Sequence, residues 1–204
     1  QENSFEAKNI TITEPELEVE QIINNEPAEP KAGDDLEYDL TIDEIGSENS
    51  SAAHNLKVTA KLNDELEYIA NSSKFNNTAI DEPSINKDTN ELTWSFESFS
   101  ELESLTKGGQ AKLNYKVKLK DTVQPTQELD SAIKIDWQSK ATENARAYSL
   151  DLAGSDSSNT IITIPDSSSI SKIIEDDTFT AEDYLRIGDI ITYKLEIDIQ
   201  KGSF

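Results

Sequence analysis

Strict alternation of apolar and polar residues is the feature that most constrains the fold of this chain. Residues 36–42 read LEYDLTI, in which every second side chain is apolar, and the same period of two recurs in residues 56–62, 113–119 and 133–137. Successive side chains of a strand point to opposite faces, so each segment has one apolar face. Because such faces need a second layer to cover them, the pattern predicts an all-β fold of two packed antiparallel sheets.

Shorter segments complete the predicted sandwich, with turn-forming residues between them. We expect further strands at residues 17–23, 66–70, 92–96, 146–152 and 159–164. Only residues 99–107, FSELESLTK, have a sequence pattern typical of a helix. We interpret them as a turn or a single helical turn, with Ser100 as the cap and Glu103 completing a capping box.

Charge and composition exclude several classes of function. The 204 residues carry 41 acidic and 18 basic side chains, for a formal net charge of −23. Such a surface repels nucleic acid and anionic lipid and attracts divalent cations. The absence of cysteine excludes disulfides, cysteine–zinc sites and thiol catalysis. No apolar run approaches the roughly 20 residues of a membrane span, so we expect no membrane insertion.

One strand motif occurs twice in the chain. Residues 32–42 read AGDDLEYDLTI and residues 187–197 read IGDIITYKLEI, with Gly188 lying 155 residues after Gly33 (188 − 33). The Ile-Ile pair that precedes each motif recurs after 151 residues (173 − 22), and the four-residue difference falls in a loop, where insertions are tolerated. A period of this length corresponds to a whole domain.

The repeat predicts that equivalent residues of the two copies have equivalent positions in the structure. Tyr38 and Tyr193 should point inward at equivalent depths of successive domains, and each motif glycine should form the turn before its strand. A lone pair of strands cannot bury its own apolar face. We therefore expect the apolar residues of the second copy to pack on the main domain or on another chain: Ile191, Tyr193, Leu195 and Ile197.

The order of motifs resembles the DUF11-type, immunoglobulin-like repeats of large bacterial surface proteins. The segments that carry the resemblance are GDDLEYDLTIDEIG, AAHNLKVTAKLNDELEYIA, LTKGGQAKLNYKVKL and SSNTIITIP, in family order across roughly residues 15–165. The usual Pro-Gly turns are replaced by Asn63-Asp64 and Lys107-Gly108.

The resemblance implies an immunoglobulin-like antiparallel β-sandwich in a tandem array. Residues 1–14 would be the closing strand of a preceding repeat or a linker, residues 15–165 one complete domain, and residues 166–204 the opening strands of the next. The implied function is a non-catalytic spacer or stalk in a secreted, extracellular bacterial surface protein of the adhesin type. Neighbouring repeats of the same chain would be its partners. We interpret the chain as a fragment, with its export signal and anchor elsewhere.

The alternative function is ligand binding through long loops. Residues 43–54 and 71–91 exceed what a sandwich needs, and they could recognise a glycan or protein of a host, cell surface or matrix. Catalysis is less favoured, because His54 is the only histidine and no nucleophile-elbow motif accompanies it. Trp94 and Trp137 alternate with other apolar residues and are predicted to be core; the alternative for an exposed tryptophan is stacking on a sugar.

Calcium is the one metal that the acidic loops suit, because it prefers hard oxygen ligands. The candidate ligands lie where successive repeats would join: Asp34, Asp35, Asp176, Asp177 and Asp189. The competing interpretation is a solvated acidic surface. No other cofactor is expected.

An intramolecular Lys–Asn isopeptide bond is a further possibility, because such bonds occur in some Gram-positive surface domains of similar architecture. Lys172 lies on the opening strand of the second copy, but the aligned residue of the complete domain is Gln21. The glutamine argues against a lysine with the same role in each repeat.

Overall fold

The structure is a computed structural model that describes residues 12–46, 50–142, 144–152, 161–166, 168–177, 190–199 and 201. Sixteen strands are found in these ranges, together with one 3-10 turn at Ser100–Leu102. In chain order the strands are β1 (Leu17–Ile23), β2 (Asp35–Glu44), β3 (Ala53–Lys61), β4 (Leu66–Tyr68), β5 (Lys74–Phe75), β6 (Thr78–Ala79), β7 (Ser84–Asn86), β8 (Glu91–Ser95), β9 (Ser104–Leu105), β10 (Gln110–Leu119), β11 (Glu128–Leu129), β12 (Ala132–Gln138), β13 (Ala147–Leu152), β14 (Ile162–Thr163), β15 (Ser169–Asp177) and β16 (Ile191–Asp198).

Two antiparallel sheets form the sandwich, which confirms the predicted fold class. The first sheet has the order β1-β2-β10-β5-β6, with β4 also paired to β10. The second has the order β13-β12-β3-β8-β7, with β9 also paired to β3. Strands β11 and β14 form a short separate ladder, and β15 pairs only with β16 among the described strands.

The period of two determines which residues form the core. In β2 every second residue is buried, from Leu36 to Glu44, and the intervening residues are partly exposed or exposed. The same alternation in β3, β10 and β12 directs apolar side chains into the space between the sheets. Trp94 and Trp137 are both buried there, as the alternation predicted.

Aromatic rings fill the centre of this core. The Tyr115 ring stacks on Tyr38 at 5.3 Å between centroids and lies 5.2 Å from the Trp94 ring. Burial raises the pKa of Tyr38 to about 12, although a hydrogen bond with Ser131 opposes this shift. Burial also raises the pKa of Tyr115 well above its ordinary value. Both hydroxyls therefore keep their protons over the physiological pH range.

Opposite charges face each other on the outer surface of the first sheet. Lys116 lies 3.6 Å from Glu37, and Lys118 lies 3.6 Å from Asp35, in each case across the β2–β10 ladder. Exposed pairs of this kind contribute about 0.2–1 kcal/mol each. They favour the observed register, because a slip of one residue would turn these charges into the core.

Two sequence expectations about local structure were wrong. Residues 71–91 are not one long loop, because β5, β6 and β7 lie within them and extend both sheets. Ser100 does not cap a helical turn: Phe99 is the N-cap residue, and no side chain caps the turn. The aromatic cap residue is buried instead, as is Leu102 within the turn.

The sandwich has two ends, which differ in the strands that begin and finish there. We call the end where β2 finishes at Glu44 the upper end, and the end where β2 begins at Asp35 the lower end. The strands β1 and β13 run from the upper to the lower end, since each is antiparallel to a neighbour that runs upward.

Candidate assembly interface

The predicted calcium ligands lie in different surroundings. Asp34 belongs to the turn at the lower end, where one of its carboxylate oxygens accepts a hydrogen bond from the Lys31 backbone N–H at 3.0 Å. Asp35 begins β2 and pairs with Lys118. In the part of the chain that the structure describes, no three histidine, cysteine or carboxylate side chains come together as a metal site.

The other three candidate ligands belong to the second copy of the motif. Asp176 and Asp177 lie on β15, but their side chains are outside the described part of the structure, and so is Asp189. The calcium hypothesis therefore stays a prediction.

The turn before β2 has the form predicted for the repeated motif. Gly33 has φ of +86°, a left-handed conformation that favours glycine, and its N–H donates to the Leu119 carbonyl at 2.8 Å. Its counterpart Gly188 is outside the described residues. His54, the sole histidine, lies in β3 opposite Ser104 of β9, as a half-buried strand residue.

The hairpin β15–β16 repeats the pairing of β1–β2. Its facing pairs are Ile170–Ile197, Lys172–Leu195 and Ile174–Tyr193. The pairs at the same positions in β1–β2 are Val19–Ile42, Gln21–Leu40 and Ile23–Tyr38. Each residue of β15 in these pairs lies 151 positions after its counterpart (170 − 19), and each residue of β16 lies 155 positions after its own (197 − 42). These offsets are the same as those of the sequence repeat.

The two hairpins differ in what covers their apolar face. The β2 residues in these pairs are fully buried. On the second hairpin the corresponding residues are exposed: Tyr193 by 50%, Leu195 by 59% and Ile197 by 56%. We call this surface the hairpin face: Ile170, Ile174, Tyr193, Leu195 and Ile197. Of the two expected covers, the main domain and another chain, the main domain leaves these side chains exposed in the described part of the structure, because the apolar faces of its two sheets already cover each other.

One polar position interrupts both faces. In the sandwich, the amide of buried Gln21 donates to the Tyr115 hydroxyl at 3.3 Å. In the second hairpin the residue is Lys172, whose ammonium group lies 3.7 Å from the centroid of the Tyr193 ring. Such a cation–π contact stabilises a lysine at a half-exposed site by about 0.5–1 kcal/mol. The register confirms that Gln21 and Lys172 are aligned.

The chain after β16 returns to the lower end of the sandwich. Lys201 Nζ lies 3.5 Å from a carboxylate oxygen of Asp121. The same ammonium group lies 2.6 Å from where a Cβ on Gly33 would be, so any side chain at Gly33 would displace it. This glycine thus serves both the turn conformation and the close approach of the second hairpin's end.

The upper end is held by contacts that the sequence did not predict. The Glu14 carboxylate pairs with Arg146 at 3.4 Å and accepts a hydrogen bond from the Tyr148 hydroxyl. The Tyr148 ring stacks on Trp137 at 5.6 Å. Glu14 and Arg146 border a cavity of about 460 Å³, lined also by Ile12, whose surface is 76% exposed.

A buried carboxylate stabilises the loops of the upper end. Glu44 is the last inward residue of β2, and its oxygens accept hydrogen bonds from the Ser50 hydroxyl and from three backbone N–H groups, those of Glu16, Gly46 and Gly108. Burial raises the pKa of Glu44, but the four hydrogen bonds together outweigh burial and leave the pKa below its ordinary value. The carboxylate is therefore charged at neutral pH and joins three separate segments of the chain.

Solved structures with a similar fold include two structures of a bacterial pilin subunit. The model aligns with a variant of BcpA, the major pilin subunit of Bacillus cereus, with a TM-score of 0.56 and 14% identity, covering 92% of this chain and 57% of that one. A second BcpA structure aligns with a TM-score of 0.51 and 15% identity over 78% of this chain and 43% of that one. A putative membrane anchored protein from Corynebacterium diphtheriae aligns with a TM-score of 0.51 and 10% identity, over 73% of this chain and 36% of that one.

These comparisons establish the fold alone. Sequence identities this low say nothing about the activity of this chain. The chain spans about half the length of the BcpA structures that it matches. No family model matches it, and no curated protein does. Within the described ranges, no helix has the length and apolarity needed to cross a membrane.

Proposed function

We propose that this chain is a non-catalytic structural repeat of a large bacterial surface protein, in which sandwich domains follow one another along one chain. Residues 15–165 are one domain of the array, and residues 166–204 open the next. The domain separates its neighbours in space, and its partners are the adjacent repeats. In this role the important residues are those of the core and of the two ends.

The hairpin β15–β16 is the observation that carries this proposal. It has the sequence pattern, the register and the two sequence offsets of β1–β2, but its apolar face is uncovered. An exposed apolar patch of this kind marks a surface that is buried in the assembled protein. The cover that fits is the one present in the complete domain: a third strand beside the hairpin and a second sheet across its face.

The N-terminal segment supports the same organisation. Ile12 belongs to an Ile-Thr-x-Pro sequence, and the same pattern recurs as Ile162, Thr163, Ile164 and Pro165. Ile162 is fully buried at the lower end, whereas Ile12 is exposed at the upper end. The contrast is explained if Ile12 closes a preceding sandwich in the way that Ile162 closes this one.

The acidic composition and the pilin-like fold support a location on the cell surface. A net charge of −23 keeps neighbouring copies soluble at high local concentration. The alternative, ligand recognition by long loops, has less support than the sequence suggested, because β5, β6 and β7 lie within residues 71–91 and extend the two sheets.

In-register excision of one repeat from the full-length protein tests the proposal. Deletion of residues 17–167 joins Glu16 to Ser168 and replaces β1 by β15 without changing any later pairing. We expect a protein that still folds and reaches the surface but is shorter by one domain in electron micrographs. The matched control removes residues 17–109, which leaves β10 without β1 and β2, and we expect it to be degraded. If both deletion proteins were degraded to the same extent, the result would contradict a modular array.

A further inference from the structure

The chain enters and leaves the sandwich at opposite ends. At the upper end, the Thr13 carbonyl accepts a hydrogen bond from Ser51 at 3.4 Å, just before β1 begins. At the lower end, Ile164 exchanges two backbone hydrogen bonds with the segment before β11, to the Gln127 carbonyl at 2.9 Å and from the Thr126 N–H at 2.8 Å. Any tension transmitted along the chain therefore acts on this domain along its strands.

Strand β1 is loaded in shear by such tension. It runs downward from its loaded end, and its seven residues all pair with β2. Hydrogen bonds of an antiparallel ladder are perpendicular to the strands. A pull along β1 therefore strains all of these bonds together, whereas a pull across the strands would break them one pair at a time.

The last long strand of the sandwich is loaded in the same way once the short β11–β14 ladder and the hydrogen bonds of Ile164 have released. β13 runs downward to Leu152, beyond which the chain continues to β14, and its six residues all pair with β12. The two loaded strands are also linked directly at the upper end, because the Tyr148 hydroxyl at the start of β13 bonds to the Glu14 carboxylate before β1. Both strands lie at the edge of a sheet.

We propose that the domain is a tension-bearing link, with the β1–β2 and β12–β13 ladders as its two mechanical clamps. This goes beyond a spacer, which need only separate its neighbours. The role in the cell rests on the proposed array, but the mechanical property belongs to this domain alone. Failure of the force measurement would therefore leave the modular organisation intact, and failure of the excision experiment would leave the clamps intact.

The hydrogen-bond pattern identifies which β1 residues carry the load. The Ile45 N–H donates to the Glu16 carbonyl, and the Asn24 N–H donates to the Glu37 carbonyl. Hydrogen-bonded and non-hydrogen-bonded residue pairs alternate along an antiparallel ladder. The even-numbered residues of β1 are therefore the ones whose backbone N–H groups point toward β2. Glu20 is one of these, and its side chain is exposed. Proline at this position removes one ladder hydrogen bond without deleting core atoms.

Single-molecule pulling with two attachment geometries tests the clamp. The 204-residue chain has no cysteine, so introduced cysteines give unique attachment points. The axial pair is Thr13→Cys with Asp166→Cys; the control pair is Thr13→Cys with Ile45→Cys, which separates β1 from β2 at their shared upper end. We expect the axial rupture force to be at least about twice the control force, because the whole ladder must fail together.

The strand variants provide the second readout. Glu20→Pro should lower the axial rupture force, and the control Glu20→Thr should leave it unchanged. Equal forces in the two attachment geometries would overturn the proposal. The same conclusion would follow if a folded Glu20→Pro protein ruptured at the unmodified axial force. If Glu20→Pro does not fold, the proposal is still tested by comparing the rupture forces of the axial and control attachment pairs on the unmodified strands.

Discussion

Tyr38 and Tyr193 occupy the same position in two hairpins: Tyr38 lies opposite Ile23 of β1, and Tyr193 lies opposite Ile174 of β15. Tyr38 is fully buried, whereas half of the Tyr193 surface is exposed. The same pattern thus forms the same ladder with and without a covering sheet. Strand pairing sets the register here, and packing supplies the burial.

Alanine at these two positions should have very different effects on this chain. Tyr38→Ala removes a ring that stacks on Tyr115, and we expect it to lower the free energy of unfolding by roughly 3–5 kcal/mol. Tyr193→Ala removes a half-exposed ring with one cation–π contact to Lys172 and should change it by no more than about 1 kcal/mol. Urea unfolding measures both values. Similar losses for the two variants would mean that the hairpin face is covered by the first sandwich in solution.

Long alternating segments were predictable, and the short strands between residues 71 and 90 were not. The sequence predicted residues 17–23 as a strand, and β1 has those bounds. β5, β6 and β7 have only two or three residues each, too few to display a period. They form because an existing strand edge offers hydrogen bonds, as β10 does where Lys74 lies opposite Asn114. That edge exists only after the long strands have paired.

The contacts at the upper end were missed for a related reason. Glu44 stands at an inward position of an alternating strand, and a charge there was a readable signal for a buried carboxylate. Its partner Gly108, however, lies 64 residues further along the chain. Arg146 lies 132 residues from Glu14. Local pattern cannot identify such partners, because only the folded topology brings them together.

Loss of the Ser73 hydroxyl should destabilise the core. Ser73 is buried, accepts a hydrogen bond from the Trp94 indole N–H at 3.2 Å and bonds the Tyr68 hydroxyl at 2.8 Å. Ser73→Ala leaves a buried indole N–H without an acceptor, so we expect a loss of roughly 1–3 kcal/mol in chemical denaturation. The control Ser84→Ala, in the exposed strand β7, should be nearly neutral. A neutral Ser73→Ala would mean that water reaches the indole.

Calcium should raise the melting temperature if the acidic residues at the junction bind it. A ligand at 100 times its dissociation constant stabilises the folded state by about 2.7 kcal/mol, so the shift should be clear in thermal melts with excess calcium and should reverse with chelator. The double variant Asp34→Asn with Asp189→Asn should abolish it. A melting temperature that responds to neither calcium nor chelator would contradict the calcium hypothesis and favour the solvated acidic surface.

The Glu44 carboxylate should make stability depend on pH in a defined direction. Glu44→Gln removes the charge that four donors share, and we expect it to lower the free energy of unfolding by roughly 1–3 kcal/mol near pH 7. The folded-state pKa of Glu44 lies below its ordinary value of 4.5. A group with a depressed pKa contributes stability that is present above its unfolded pKa and is lost as the pH falls through the folded pKa.

The stability gap between the parent protein and Glu44→Gln should therefore hold constant down to about pH 5 and shrink below about pH 4.5. The control Glu18→Gln, at an exposed position of β1, should differ little from the parent at any pH. Acid also neutralises many other carboxylates in a chain of charge −23, which changes the stability of all three proteins alike. The difference between variants removes that common effect. A gap that stayed constant at the lowest pH would mean that donor geometry, and not charge, makes Glu44 stabilising.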